Sequence, residues 1–194
     1  MSKFAILHEG KNDYEFLKLL ISELGLDSRK VKFFNAGNKS NFFKLDNPNY
    51  KLLQIDIDRE EIDKILFVVD ADYAKNDEKY GGYTNTENEL KRIITELKFT
   101  NYSDIYIVCD PTTKDGYLES FILSTIPEEH KNCIKDFLSC SEFESKAHHK
   151  SIFNQIYKIA YPKKPFDFSH KNFDELKLKL KNLFKNEKIT RKLE

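Results

Sequence analysis

The chain predicts an α/β fold: a mainly parallel central sheet flanked by helices, with a helical C-terminal extension. Three observations lead there. Short apolar runs alternate with helix-period stretches over the first two thirds of the sequence. One of those runs, ILFVV at 65–69, is apolar throughout, as a strand covered on both faces requires. Acids stand just past the ends of the runs, where an open α/β sheet gathers its ligands. With 194 residues the chain is long enough for one well-cored domain. The expected division is a catalytic core over 1–125 and a helical extension over 126–194 packed on it.

In order, residues 3–8 (KFAILH) read as a buried strand. A helix follows from Asn12, with Phe16, Leu17, Leu20, Ile21 and Leu24 at helical spacing, Asn12 or Asp13 as its cap and Gly25 at its end. Val31 to Phe34 form a second strand, stopped at Asn35, Ala36 and Gly37. Residues 38–50 are polar, and the stretch from Tyr50 to Asp63 has the poor periodicity of one short helix at most. After the strand at 65–69, Thr86 and Glu89 make a T-x-x-E capping box for a helix to Leu97, with Leu90, Ile93 and Ile94 on its inner stripe. Ile105 to Cys109 is the last strand, and DGYLESFIL at 115–123 opens a helix. Helical sequence fills the rest, interrupted at Pro162–Pro165. The final helix presents Phe173, Leu176, Leu180, Leu183 and Phe184 on one face.

Composition excludes several classes. The formal net charge is zero, so no global field draws the protein to nucleic acid or membrane. The charge is unevenly spread: residues 163–194 hold ten Lys/Arg and five Asp/Glu, a local +5 that leaves −5 on the remainder. Three cysteines without a CxxC pair argue against a disulfide framework and a structural zinc site. No apolar stretch approaches the roughly 20 residues that span a bilayer, and no signal-peptide pattern follows Lys3, so a cytoplasmic location is the expectation. NAGNKS at 35–40 lacks the GxxxxGK[ST] spacing of an ATP-binding loop, and the spacing of His130, Cys133, His148 and His149 fits no zinc pattern.

The chemistry concentrates in a few acids. Glu9, Asp70 and Asp110 each follow a predicted strand, so neighbouring strands would aim all three into one crevice. Asp70 and Asp72 lie at i and i+2, which in extended backbone puts both carboxylates on one face, suited to a hard cation such as Mg²⁺. Gly10 removes bulk beside Glu9 and leaves room for a phosphate. Each acid also has a plain alternative: Asp13 as a helix cap, Asp70 and Asp72 as turn formers, Glu119 as a solvated helix acid.

Taken together, strand–Glu9-Gly10-Lys11-Asn12-Asp13–helix, then strand–Gly37, then strand–Asp70-Ala71-Asp72 resembles the Toprim domain of topoisomerases, primases, recombination mediators and several nucleases. The resemblance covers residues 3 to about 125 and implies that Glu9 is a general acid/base or metal ligand and that Asp70 and Asp72 hold Mg²⁺. The pattern is similar to that of the overcoming-lysogenization-defect nucleases. That similarity implies a second acid at Asp13 in a site of one or two Mg²⁺ or Mn²⁺ ions, and a later glutamate and lysine, for which Glu119 and Lys146 are the candidates. Residues 110–123 and 146–184 also resemble small stand-alone Toprim-like proteins of uncharacterised function.

The implied function is a metal-dependent phosphodiesterase acting on DNA or RNA. A non-catalytic nucleic-acid or protein-binding module stands beside it, using Lys177, Lys179, Lys181, Lys185 and Lys188, and so does a hydrolase of a small phosphorylated metabolite. A homo-oligomer or a protein partner is compatible with any of these.

Overall fold

The structure is a computed structural model that describes residues 3–140, 151–152, 155–156 and 166–185. Four parallel strands, β1 (Phe4–His8), β2 (Val31–Asn35), β3 (Lys64–Asp70) and β4 (Ser103–Val108), lie in the order β2-β1-β3-β4. The chain runs outward from β1 to β2, crosses back to β3 and continues to β4. The order therefore reverses between β1 and β3, and that is where an open α/β sheet leaves its crevice.

Both faces of the sheet are covered. On one, α1 (Lys11–Glu23), α5 (Leu118–Leu123) and α7 (Asp174–Phe184) pack against Phe4, Ile6, Leu66, Val68, Tyr106 and Val108. On the other, α2 (Lys39–Phe42), α3 (Pro48–Asp58) and α4 (Tyr83–Glu96) cover Ala5, Leu7, Phe34, Ile65, Phe67, Val69 and Ile107. Alternate residues of each strand feed opposite clusters, so β1 and β3 are buried almost along their whole length. A further helix, α6 (Glu128–Cys140), follows α5 on the outside.

Segment 166–185 belongs to the core. Phe173 is fully buried, with ring centroids 5.0 Å from Phe121, 5.5 Å from Phe168 and 6.0 Å from Phe16. Leu176, Leu180 and Leu183 of α7 complete that face, as their spacing predicts. The end of α1 also follows expectation. Gly25 takes φ +66°, its amide bonds to Ser22 O, and Leu26 N reaches back to Ile21 O.

Other elements differ from the sequence reading. Residues 38–50 are not loop throughout: Asn38 caps the single turn of α2 through its side chain, and Asn47 caps α3 with Pro48 at the first helical position. Helix α4 starts at Tyr83 after Gly82, so Thr86 is not a cap. It is fully buried inside the helix, and its hydroxyl donates to Tyr80 O at 2.9 Å. Glu89, free of the capping role, pairs with Arg92 at 2.7 Å. At α1 the cap is Gly10, and Asp13 sits at the third helical position.

The closed aromatic cluster predicts a sharp contrast within the C-terminal segment. Phe173→Ala should destabilise the protein by about 3–5 kcal/mol in urea denaturation. Leu178→Ala, at a side chain 55% exposed, should change stability by less than about 0.5 kcal/mol. Comparable losses at the two positions would mean that the segment does not close this core.

Candidate functional site

Strand β1 leaves the sheet after His8, whose carbonyl turns outward to the Ala36 amide. The Asp70 amide, on the β1 side of β3, then has no ladder carbonyl to meet. The Glu9 side chain supplies the acceptor instead, with Oε1 2.9 Å from Asp70 N. This bond spans the switch point and fixes Glu9 at the carboxyl end of the sheet.

The other acids are held in similar ways. The Asp70 carboxylate, 5% exposed, accepts the Leu118 amide at 3.0 Å and so ties the end of β3 to the first turn of α5. Asp13 Oδ2 accepts the Gly10 amide at 2.8 Å; Gly10 offers no side-chain acceptor in return, so only half of a capping box exists. Glu119 is buried in the first turn of α5, and its Oε1 lies 3.4 Å from the Asn12 side-chain amide on α1. Both helix starts suit negative charge.

Asp72 reaches the group by a route other than the expected one. The backbone is not extended here: Asp72 has φ +56°, a left-handed turn that aspartate tolerates. Its carbonyl accepts the Gly116 amide at 2.9 Å, which pins the turn to the loop after β4. Asp110, by contrast, does not join the site. Its carboxylate accepts Thr112 N at 2.8 Å and closes its own loop beyond β4, one strand further from the switch point.

Sequence reasoning missed Lys39. This side chain, at the start of α2, is 7% exposed and passes its ammonium to Ala71 O, with Asp72 Oδ2 at 3.8 Å. Burial lowers its pKa, while Asp72, Glu9, Asp70 and Asp77 oppose that shift. The available signal was NAGNKS: Gly37, with φ +83°, turns the chain after β2 so that Lys39 points back into the site. Gly37 itself donates to Asn35 Oδ1 at 2.7 Å. Tyr117 was missed as well; burial raises the pKa of its phenol, and the charges of Glu119, Asp70 and Asp72 add to the effect.

Electrostatically, Glu9 is the unusual member. Desolvation pushes its carboxyl up to about 7; Asp72 and Asp13 push the same way, while the Asp70 amide and Lys39 pull it down. Lys146, the candidate for the later lysine that the resemblance implies, lies outside the described residues, as does Lys188. The lysines of α7 do not reach this crevice. Lys179 pairs with Asp104 near the start of β4, at the opposite end of the sheet, and Lys177 pairs with Asp174 on its own helix.

Among the described residues no three His, Cys, Asp or Glu side chains gather as a ready metal cage. The expected set of Glu9, Asp13, Asp70, Asp72 and Glu119 therefore shares a rim without converging on one point. The donor chemistry still fits Mg²⁺ in its usual manner. Every candidate ligand is a carboxylate oxygen, and Mg²⁺ takes one or two carboxylates and keeps water for the rest. Backbone amides orient one oxygen each of Glu9, Asp13 and Asp70, as outer-shell partners orient metal ligands. Among the described residues no helix is long and apolar enough to cross a membrane.

A family model described as a protein of unknown function, DUF3226, matches residues 3–185. The chain belongs to the DUF3226 family. No curated protein and no solved structure matches it. The family match takes in every acid of the site together with Lys39.

The raised Glu9 pKa sets the sign of a pH effect. The folded state holds a proton on Glu9 up to about pH 7, whereas the ordinary carboxyl loses it near 4.5. The stabilising contribution is therefore complete below about 4.5 and is lost as pH rises through 7. In metal-free buffer, wild type should lose up to about 3 kcal/mol relative to Glu9→Gln between pH 4.5 and 8. Parallel stability curves for the two proteins in urea would contradict the assignment.

Proposed function

We propose that this protein is a Mg²⁺-dependent phosphodiesterase that cleaves nucleic acid through a carboxylate site of the Toprim type it resembles. The observation that carries the reading is Glu9: a carboxyl with a pKa near 7, fixed on the Asp70 amide at the switch point of a parallel sheet. Burial and the neighbouring Asp72 and Asp13 raise its proton affinity, which suits a group that takes a proton from attacking water or returns one to the leaving oxygen.

Asp72 and Asp70 are the residues that would hold the ion, with Asp13 and Glu119 adding negative charge at the same rim. Bound there, Mg²⁺ supplies charge neutralisation for the phosphate oxygens. The protein's own groups do the positioning. The Leu118 amide fixes the Asp70 carboxylate, and the Gly116 amide fixes the turn that carries Asp72. A Cβ added at Gly10 would come to 3.6 Å from Asp13 Oδ2, so that glycine keeps the approach to the rim open. Attack by activated water is the simplest chemistry for this set, with Glu9 as the proton carrier.

One observation favours a second reading. Asp72 already has a cation beside it in Lys39, as a structural site requires and a metal site does not. On that reading the protein is a module that binds nucleic acid or protein without turnover.

Cleavage assays separate the two. Purified protein with Mg²⁺ or Mn²⁺ should hydrolyse single- or double-stranded DNA or RNA. Glu9→Gln and Asp72→Asn should each slow it by about 10²–10⁴-fold. Turnover that persists unchanged in both variants would place the activity elsewhere. Binding without turnover in the wild type would select the module.

A further inference from the structure

We propose that His8 is the positioning residue of this site: its ring Nδ1–H straps the Gly10 carbonyl, spans Glu9, and so aims the Glu9 carboxylate at the Asp70 amide. This role rests on the reading of Glu9 as the proton carrier. The ladder between β1 and β3 ends at the pair Leu7 and Phe67, two residues before Glu9. Main-chain pairing with β3 therefore does not hold Glu9. The residues on its two flanks do.

His8 is the last residue of β1 and is 2% exposed; its carbonyl accepts the Ala36 amide at 2.9 Å. Gly10 is fixed three times. Its amide donates to Asp13 Oδ2 at 2.8 Å. Its carbonyl accepts the Tyr14 amide at 3.2 Å and lies 2.9 Å from His8 Nδ1. A carbonyl can only accept, so Nδ1 carries the hydrogen of that bond. The ring thus closes a loop from residue 8 to residue 10, with Glu9 as the one residue between its ends. Backbone is held on both sides of Glu9, and its side chain leaves from a fixed root, as a preorganised group requires.

Packing and charge do not account for the imidazole. Tyr14 and Phe33 stand around it, with ring centroids 5.8 and 6.0 Å away. A leucine would fill such a place without burying a polar ring. The Gly10 carbonyl already takes the first bond of α1, so it needs no second donor for its own sake. Burial holds the ring's pKa below its ordinary value, against the pull of the Gly10 bond, so His8 brings no positive charge to Glu9 at neutral pH. What the imidazole adds is one directed N–H, delivered to the residue after Glu9.

Hydrogen exchange of the Asp70 amide, followed by NMR on the full chain in metal-free buffer, tests the role, because that amide is the partner of Glu9 Oε1. His8→Leu fills the place without a donor. It should speed Asp70 exchange about tenfold while the other β3 amides keep their wild-type protection. His8→Asn carries an N–H at the same remove from Cβ and should stay within about threefold of wild type. A ring that only packed would give the reverse order, since asparagine fills the space less well. Unchanged Asp70 exchange in His8→Leu overturns the proposal; so does an acceleration in His8→Asn as large as in His8→Leu. Should the Leu variant not fold, His8→Met carries the same expectation. Turnover gives a second readout: on nucleic acid, His8→Leu should lower kcat about tenfold at unchanged KM. An active wild type whose Leu variant exchanges faster at Asp70 yet keeps its kcat overturns the proposal as well. Faster Asp70 exchange in the Leu variant of a protein that cleaves nothing would leave His8 as the strap on Glu9 and remove the nuclease. An active wild type whose Leu variant shows unchanged exchange would do the reverse.

Discussion

One hydrogen bond organises this molecule's chemistry: the Glu9 carboxylate on the Asp70 amide. It exists because β1 stops two residues short of where β3 ends, at the point where the strand order reverses. A neutral carbonyl would satisfy the amide as well. A carboxylate there brings a charge into a partly desolvated crevice, beside two other acids, and its pKa rises accordingly. The fold thus fills a gap in the sheet ladder with a buried carboxyl whose pKa is raised to about 7. The two clusters beneath make the arrangement stiff. Leu66 and Val68 belong to one face and Phe67 and Val69 to the other, so β3 cannot shift without disturbing both.

Around that bond the rim is built mainly from backbone. The Leu118 amide holds Asp70, the Gly116 amide holds the carbonyl of Asp72, and the Gly10 amide holds Asp13. These donors come from the start of α5, the loop after β4 and the start of α1. Residues more than 100 positions apart are thereby bound into one edge. Gly116 is essential to the loop's approach: its φ is +104°, and a Cβ would come within 2.5 Å of Ser120 Oγ. The electrostatic consequence follows from the same compactness. Acids fixed by short backbone bonds cannot move apart to relieve their repulsion, so a cation or a proton must do so.

Much of this was legible in the sequence, and the failures have physical causes. The β3 run and the α1 stripe were readable because burial on both faces, or on one helical face, imposes a composition no loop has. Helices α2 and α3 were obscured because their stability comes from caps and tertiary packing: Asn38 and Asn47 start them, α2 is a single turn, and the exposed Leu52 and Ile55 blur the stripe that Tyr50, Leu53 and Ile57 make on α3. Thr86 and Glu89 match a capping box by spacing, but the chain had entered the helix at Tyr83, and spacing alone cannot reveal that. Asp110 looked equivalent to Asp70 because both follow strands. Strand order, which the sequence does not state, separates them. Lys39 was invisible for a related reason. Its partners lie 32 and 33 positions away, and NAGNKS suggested only the phosphate loop whose spacing it lacks.

Stability alone does not account for the charges at this rim. Asp13 and Glu119 sit in first helical turns, where the helix dipole favours an acid, and asparagine or glutamine would forgo that benefit. Glu9 has no such excuse. It precedes the helix, its bond to the Asp70 amide needs only a neutral oxygen, and glutamine would make that bond without the desolvation cost that lifts the carboxyl to about 7. Lys39 presents the same puzzle from the other side, since a buried ammonium is expensive and Ala71 O already accepts the Gly82 amide. Each is costly to bury, and each acts on the other: Glu9 raises the pKa of Lys39 and Lys39 lowers that of Glu9. A pair of that kind, placed at the switch point of a parallel sheet, makes physical sense when its charges are needed for something that arrives from outside.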